Sequence, residues 1–440
     1  MTKVKQNSIV NLVDFFSNEV RNYSIYACAR AIPSGVDGLK PSQRKVLFGM
    51  EKKFNNQEVK VSIASAACME ISAYHHGSLD GVIVNMSQSF PGSNNMPLLT
   101  GIGQFGSRIG PEAAATRYIF TKLSPGYKKI FQPVDNSILE YNDDDGTPIE
   151  PKFYLPVLPM VLINGAEGMG TGFATSIMAH NPKSVLEAVK ARLNGKVPKK
   201  LVPWYSGFNG SVTKVDGQVI ISGNIEIVNT TTLKITELPI GTFCINYREH
   251  LNKMEDKGLI KNYDDNSSED KTEFIIKATR EYIAAATPES LLKDFRLINK
   301  STENIVVWDE KGKIKRFDSV DDLLIWFVDY RLTRFTDRKN AILNALTADL
   351  NKFSDEAEFI KLYLANSTKW SKMQMVDIKA SLGGKFKYVS LDNLFAIRIA
   401  SLTADTIKRH LDEIARIGVL ITELQAKTER QLYLEALPSL

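Results

Sequence analysis

Arg117 and Tyr118 stand side by side in the run AAATRYIF, and together they hold the most specific chemistry in this sequence of 440 residues. A phenol titrates near pH 10, so about 0.1% of a free tyrosine is ionised at neutral pH and nucleophilic use needs local activation. A guanidinium beside it lowers the energy of the phenolate, binds phosphate and stabilises charge spread over phosphate oxygens during in-line displacement. By residue type alone an Arg-Tyr pair on a helix is more often structural, so adjacency leaves both readings open. His75 and His76 form a second pair. Imidazoles donate hydrogen bonds to attacking or leaving oxygens at neutral pH; they also ligate metals, but no cysteine or carboxylate cluster adjoins this pair to complete a tetrahedral set. Arg30, Lys40, Arg44 and Lys45 place four cations around a Pro- and Gly-containing turn, where they read as phosphate contacts or as a solvated basic face. The consecutive Asp143, Asp144 and Asp145, beside Asn142 and Gly146, lack the alternate spacing of a calcium loop and read as a solvated loop tip.

The charge distribution favours a polyanion at the front of the chain. Residues 1–130 hold 15 Lys and Arg against 8 Asp and Glu, an excess of +7 in a chain whose net charge is +5. Such an excess can neutralise phosphates and release counterions, though a merely solvated basic surface has the same composition. Cys28, Cys68 and Cys244 have no CxxC spacing, which argues against a disulfide framework or zinc site and fits a reducing cytoplasm. No apolar run reaches the roughly 18 residues of a membrane span, and the first residues lack the stretch of a signal peptide. The expectation is a protein neither secreted nor anchored.

Several domains are expected at this length. The first 130 residues read as short helices. Val10, Val13, Phe16, Val20, Tyr23 and Ala27, spaced by 3 and 4, predict one buried helical face over 9–30. After the turn at Pro33, Ser34, Gly35, Asp37 and Gly38, Pro41 predicts the start of a helix through Met50. Further helices are expected at 60–72 and 77–90, then an irregular stretch from Pro91 to Gly110. Residues 140–315 carry β-branched runs at 218–222, 224–228, 233–235, 274–278 and 304–308 among helices, an α+β pattern. From Ser319 the spacing turns helical again, and Ile407, Leu411, Ile414 and Ile421 approximate a heptad seam interrupted by Gly418. An antiparallel helical pair is expected there.

Four segments in order resemble the breakage and reunion region of type IIA topoisomerases: AIPSGVDGLKPSQRKVLFGM at 31–50, AYHHG at 73–77, SNNMPLLTGIGQFGSRIGPEAAATRYIFTKLS at 93–124 and EPKFYLPVLPMVLINGAEGMGTGFATSIMAHNP at 150–182. Weaker similarity continues through 231–243, 317–339 and 392–409. The resemblance implies an α+β multidomain fold: a winged-helix (helix-turn-helix) DNA-gate domain over 1–139, an α/β tower domain over 140–316, and long antiparallel coiled-coil helices ending in a helical dimer interface over 317–440. Gyrase A subunits add a DNA-wrapping domain, whereas this sequence ends at Leu440; relaxation or decatenation is therefore expected rather than supercoiling. The division resembles the T-even phage arrangement, with this chain as its medium subunit in a host cytoplasm.

By the same resemblance Tyr118 is the strand-breaking nucleophile, Arg117 its partner, and His76 a histidine near the scissile phosphate, with His75 secondary. Arg44 and Lys45 lie where the family's helix-turn-helix enters DNA, with Arg30 and Lys40 nearby. Met169, in GAEGMGTG, stands where the family usually has an isoleucine that wedges between base pairs; methionine can serve as such a wedge, with a longer and softer side chain. No GxxxxGKS/T loop and no acidic TOPRIM-like constellation is found, so Mg2+ and ATP are expected on a partner subunit carrying TOPRIM and ATPase domains. The general base is not identified by the sequence. Two copies are expected around a two-fold axis, one tyrosine per strand of duplex DNA. Two other classes stand against this reading: a non-catalytic DNA-bending protein, which would form no covalent adduct, and a helical interaction protein, which would show no salt-dependent duplex binding.

Overall fold

Pro41 occupies the first position of the helix Pro41–Gly49, and the Gln43 side chain accepts the Lys40 backbone N–H at 2.8 Å, so the turn chemistry read from sequence sets this helix start. The computed structural model describes residues 11–215 and 217–440. They fall into two units: residues up to Arg331 with Leu437–Leu440, and Leu332–Ala436. The expected boundary at 139/140 lies inside the first unit; the one at 316/317 lies just before the long helix Val320–Trp370, which spans the unit division at Arg331.

In the first unit, helices Pro41–Gly49, Val61–Ile71 and Asp80–Ser87 stand with a small antiparallel sheet in which Phe120–Leu123 lies between Val59–Lys60 and Leu99–Ile102. Helices with such a sheet form the winged-helix arrangement. Val46, Leu47, Val61, Ala64, Cys68 and Ile83 are buried in its interior. Helical structure also covers Leu12–Ala31, with a π turn at Phe16–Val20. Its large apolar residues are not a buried face: Val13, Phe16 and Tyr23 are exposed, and Val10 lies outside the described residues. The packed side carries small residues. A Cβ on Gly168 would stand 2.0 Å from the Ala31 carbonyl oxygen, and one on Gly170 would stand 2.8 Å from the Cys28 sulfur. The contact is a close approach of backbones, which a period of large residues does not reveal.

The middle of the chain carries a four-stranded antiparallel sheet, ordered Asn224–Asn229, Thr232–Glu237, Phe274–Lys277, Asn262–Asp265, and a three-stranded one, ordered Ile298–Thr302, Gln218–Ser222, Ser211–Val215. Leu233, Ile235, Tyr247, Leu251, Phe274 and Phe295 form the core under the larger sheet. Arg108 ties the winged-helix part to this core: its guanidinium pairs with Glu237 at 2.6 Å and donates to the Leu238 carbonyl at 2.6 Å, both residues buried.

In the second unit the long helix and Ala404–Ala426 run antiparallel. Lys339 donates to the carbonyls of Gln425 and Lys427, and further along Phe353 packs its ring against His410. The inner face of Ala404–Ala426 carries Thr406 and Ile417, which are buried, whereas Leu411 is exposed. Of the expected seam, Ile407, Ile414 and Ile421 are half-buried and only Leu411 falls outside the contact. Phe359, Trp370, Ile378, Leu382 and Leu394 form a separate small core. Met375, Val376, Tyr388 and Ile399 around it are exposed.

Candidate active site

Tyr118 is 68% exposed and lies on the turn 116–118, not on a helix, with its backbone N–H bonded to the Ala115 carbonyl at 2.9 Å. The Arg117 guanidinium sits over its ring, 4.7 Å from the centroid. The turn is anchored on both sides. Thr116 accepts the Ser62 N–H and donates its hydroxyl to Asp80 at 3.2 Å, and the Ile119 carbonyl accepts the Val61 N–H at 3.0 Å. Val61 and Asp80 begin the two helices joined by the loop that contains His75 and His76. The phenol is thus solvent-facing, with a cation on its ring and a turn held by two helix starts, and it is open to a large molecule rather than enclosed in a pocket.

The His loop is shaped by Ala73, which adopts φ +47°, a conformation uncommon for a residue with a side chain. His75 and His76 are both exposed. His76 Nε2 stands 3.2 Å from the hydroxyl of Tyr26, a residue sequence reasoning did not select, and its ring lies edge-on to Tyr74. Arg30 covers the Tyr26 ring at 5.5 Å and reaches its oxygen at 3.4 Å. The one sequence signal for this cluster was the spacing of four between Tyr26 and Arg30 on a helix.

Two residues expected at the DNA have their charged groups engaged inside the protein. Arg44 is a buried clasp: its Nε pairs with Asp37 at 2.7 Å and its Nη2 donates to the Leu39 carbonyl at 2.8 Å, with side-chain exposures of 10% for Arg44 and 0% for Asp37. Asp37 also accepts the backbone N–H groups of Leu39 and Tyr154, so its carboxylate is fully engaged. Lys45 pairs with Glu150 at 2.9 Å and donates to the Ser72 carbonyl at 2.6 Å, with only 15% of its side chain exposed. Both cations lie on the inner side of the helix, where their charge is spent on fixing it. Gly38 completes the loop: it has φ +73°, and a Cβ there would stand 2.4 Å from the Val161 nitrogen.

Met169 ends the strand Ala166–Met169, which pairs with Ala174–Ile177, and at 89% exposure it stands clear of the protein. Phe173, exposed on the same hairpin turn, was not singled out by sequence. Lys40 holds this hairpin by donating to the Glu167 carbonyl at 2.7 Å; burial lowers its pKa, and the Glu167 carboxylate partly opposes that. Arg30 is exposed. The acidic run ends the hairpin Tyr141–Asp144/Thr147–Pro151, with Asp145 and Gly146 at φ +48° and +83° in its turn. Among the described residues no group of three or more His, Cys, Asp and Glu gathers to hold a metal ion, and no helix is long and apolar enough to cross a membrane. All three cysteines are buried and free.

Comparison with known proteins adds four findings. Residues 30–437 match the family model for the A subunits of DNA gyrase and topoisomerase IV. The chain is 35% identical over 422 residues to a mitochondrial DNA topoisomerase 2 of Dictyostelium discoideum, covering 92% of this chain and 33% of that protein. It is 39% identical over 381 residues to DNA topoisomerase 2-beta of Gallus gallus, covering 82% and 23%. It thus spans about a quarter to a third of these relatives' length. Its fold matches the crystal structure of the Plasmodium falciparum topoisomerase II DNA-binding, cleavage and re-ligation domain with a TM-score of 0.88 and 33% identity, over 96% of this chain and 63% of that one.

Proposed function

We propose a DNA-cleaving and rejoining role for this chain, which belongs to the family of DNA gyrase and topoisomerase IV A subunits: Tyr118 forms a transient 5′-phosphotyrosine bond so that a second duplex passes through a double-strand break, relaxing or decatenating DNA. The observation that carries this reading is the exposed Tyr118 phenol with the Arg117 guanidinium on its ring.

Tyr118 Oη attacks the phosphorus and the bond to the 3′ oxygen breaks. The proton lost by the phenol is balanced by the one the 3′ oxygen gains. Bond energy is kept in the phosphotyrosine, and attack by the 3′ hydroxyl reverses the step. Arg117 stabilises charge on the phosphate oxygens, worth most in a site from which water is displaced. His76, with His75 beside it, donates to an oxygen of the reacting phosphate; Arg30 supplies positive charge at the same loop. Met169 enters the DNA as a wedge, on a hairpin that Lys40 steadies. Arg44 and Lys45 shape the helix rather than touch DNA.

Among the described residues no group of three or more His, Cys, Asp and Glu gathers, and no step here passes through a metal. Mg2+ and ATP belong on a partner subunit with TOPRIM and ATPase domains; the bound metal would neutralise phosphate charge. The working unit is a homodimer closed through the helical second unit, whose exposed Val376, Tyr388 and Ile399 supply apolar surface for a second copy. It acts on duplex DNA in the cytoplasm, that of a host if phage-encoded.

The test is a denaturant-trapped cleavage assay with labelled duplex and magnesium, comparing wild type and Tyr118→Phe with and without the partner that carries TOPRIM. The expected product is a 5′-linked adduct that needs both Tyr118 and that partner. Salt-sensitive DNA binding without an adduct, when the partner demonstrably assembles, would leave only a DNA-bending role.

A further inference from the structure

Tyr26 joins two groups that the cleavage reading uses separately. Its hydroxyl is 3.2 Å from His76 Nε2 and 3.4 Å from Arg30 Nη1. Arginine has only donors, so the Tyr26 oxygen accepts from Arg30. The phenol keeps one hydrogen of its own, and the nearest acceptor recorded for it is His76 Nε2. A cation bonded to the oxygen and stacked on the ring, 5.5 Å from its centroid, withdraws electron density. The hydroxyl becomes a better donor and a poorer acceptor. Its proton is therefore directed to Nε2, which must then carry a lone pair. A neutral imidazole with an occupied lone pair on Nε2 carries its hydrogen on Nδ1.

We propose that Tyr26 is a positioning residue that sets the tautomer of His76 through the relay Arg30 to Tyr26 to His76, leaving Nδ1–H as the donor His76 presents to the reacting phosphate. This rests on the reading of Tyr118 as nucleophile and His76 as its neighbour in the reaction. The groups facing the His76 ring are Tyr26 and Arg30 from the helix Arg21–Ala31 and Tyr74 from its own loop, with His75 adjacent. None is a carboxylate. The usual fixing of a histidine by an acidic or carbonyl acceptor is replaced here by a phenol that donates. The helix stays put on its small-residue side against the hairpin glycines, so the relay has a fixed origin, whereas the His loop is surface chain with Ala73 in a left-handed conformation.

Tyr26→Phe removes one oxygen while keeping the ring and its stack with Arg30, so packing alone predicts no effect. The relay predicts two. In protein labelled with 15N-histidine, where the sequence holds five histidines and His76→Gln assigns the signal, the His76 nitrogens change from the Nδ1–H pattern toward Nε2–H. In single-turnover cleavage by the assembled enzyme, adduct formation slows about three- to ten-fold, the effect of losing one neutral hydrogen bond, with duplex affinity unchanged. In a His76→Gln background, Tyr26→Phe then has no further effect, because it acts only through the imidazole. An unchanged tautomer, or an equal slowing in the His76→Gln background, overturns the proposal. The nitrogen spectra need no DNA, so the relay is tested even if wild type forms no adduct, an outcome that would instead remove the Tyr118 reading.

Discussion

Arg44 offers the sharpest contrast between what the sequence expects and what the structure shows, and Arg44→Met separates them. In the structure the guanidinium pairs with Asp37 at 2.7 Å, with neither side chain more than 10% exposed. Removing one partner of a buried pair costs about 3–5 kcal/mol. Asp37 would keep two backbone donors, the N–H groups of Leu39 and Tyr154 at 2.9 and 3.0 Å, so the lower end, about 3 kcal/mol, is expected. At about 2–4 °C per kcal/mol for large domains, the melting temperature should fall by roughly 6–12 °C. A phosphate contact predicts something else. Its loss would leave melting nearly unchanged and would reduce the slope of log affinity against log salt by about 1. The assay is calorimetry beside duplex binding at several salt concentrations, at a temperature where the variant is folded. Unchanged melting with a reduced salt slope would refute the clasp.

Two further outcomes are expected. Met169 is 89% exposed, so Met169→Ala should shift stability by no more than about 0.5 kcal/mol while the ends of a bound duplex, followed by energy transfer, move apart; an unchanged bend would remove Met169 as the wedge. Burial holds the His180 and His250 imidazoles below their ordinary value of 6.5, so just below that pH the unfolded chain binds more protons than the folded one. Their contribution to stability is complete above 6.5 and is lost as pH falls through it. The melting temperature should decline on acidification from this point, and His180→Gln should flatten the decline; an unaltered slope would show that His180 is not buried neutral.

What the sequence revealed depended on the length and purity of each pattern. The run 218–222 is a strand at those very residues, and Pro41 starts its helix, because β-branched alternation and proline act locally. Val59–Lys60, Leu99–Ile102 and Phe120–Leu123 were missed by periodicity: two to four residues give no repeat to count, and their pairing is set by partners up to 62 residues away. The turn at Arg117–Tyr118 was not legible for a related reason. Its conformation is decided by Ser62 and Asp80, which no local pattern contains. The face of Leu12–Ala31 was inverted because glycines on the opposing hairpin reward small residues there, leaving the large ones outside.

The burial of Arg44 and Lys45 also changes what the positive front of the chain means. Charge counted from sequence treats every cation as available, yet these two lie against Asp37 and Glu150 and cancel locally. The attraction that remains belongs to exposed groups such as Arg30, Lys52, Lys60 and Arg117, none of which has an ion pair among the described residues. Such charges act at a Debye length of about 8–10 Å, so on the proposed function they would steer a duplex toward the surface without fixing its register. On that reading register would come from shape: the turn that carries Tyr118, the loop that carries His76, and the hairpin tip of Met169. The Tyr118 turn is held to the helix starts by backbone bonds and the Thr116–Asp80 contact, and the Met169 hairpin by Lys40 on the Glu167 carbonyl. On the proposed function the helix-turn-helix would serve chiefly as a rigid mount, its inward cations fixing the elements proposed to meet DNA.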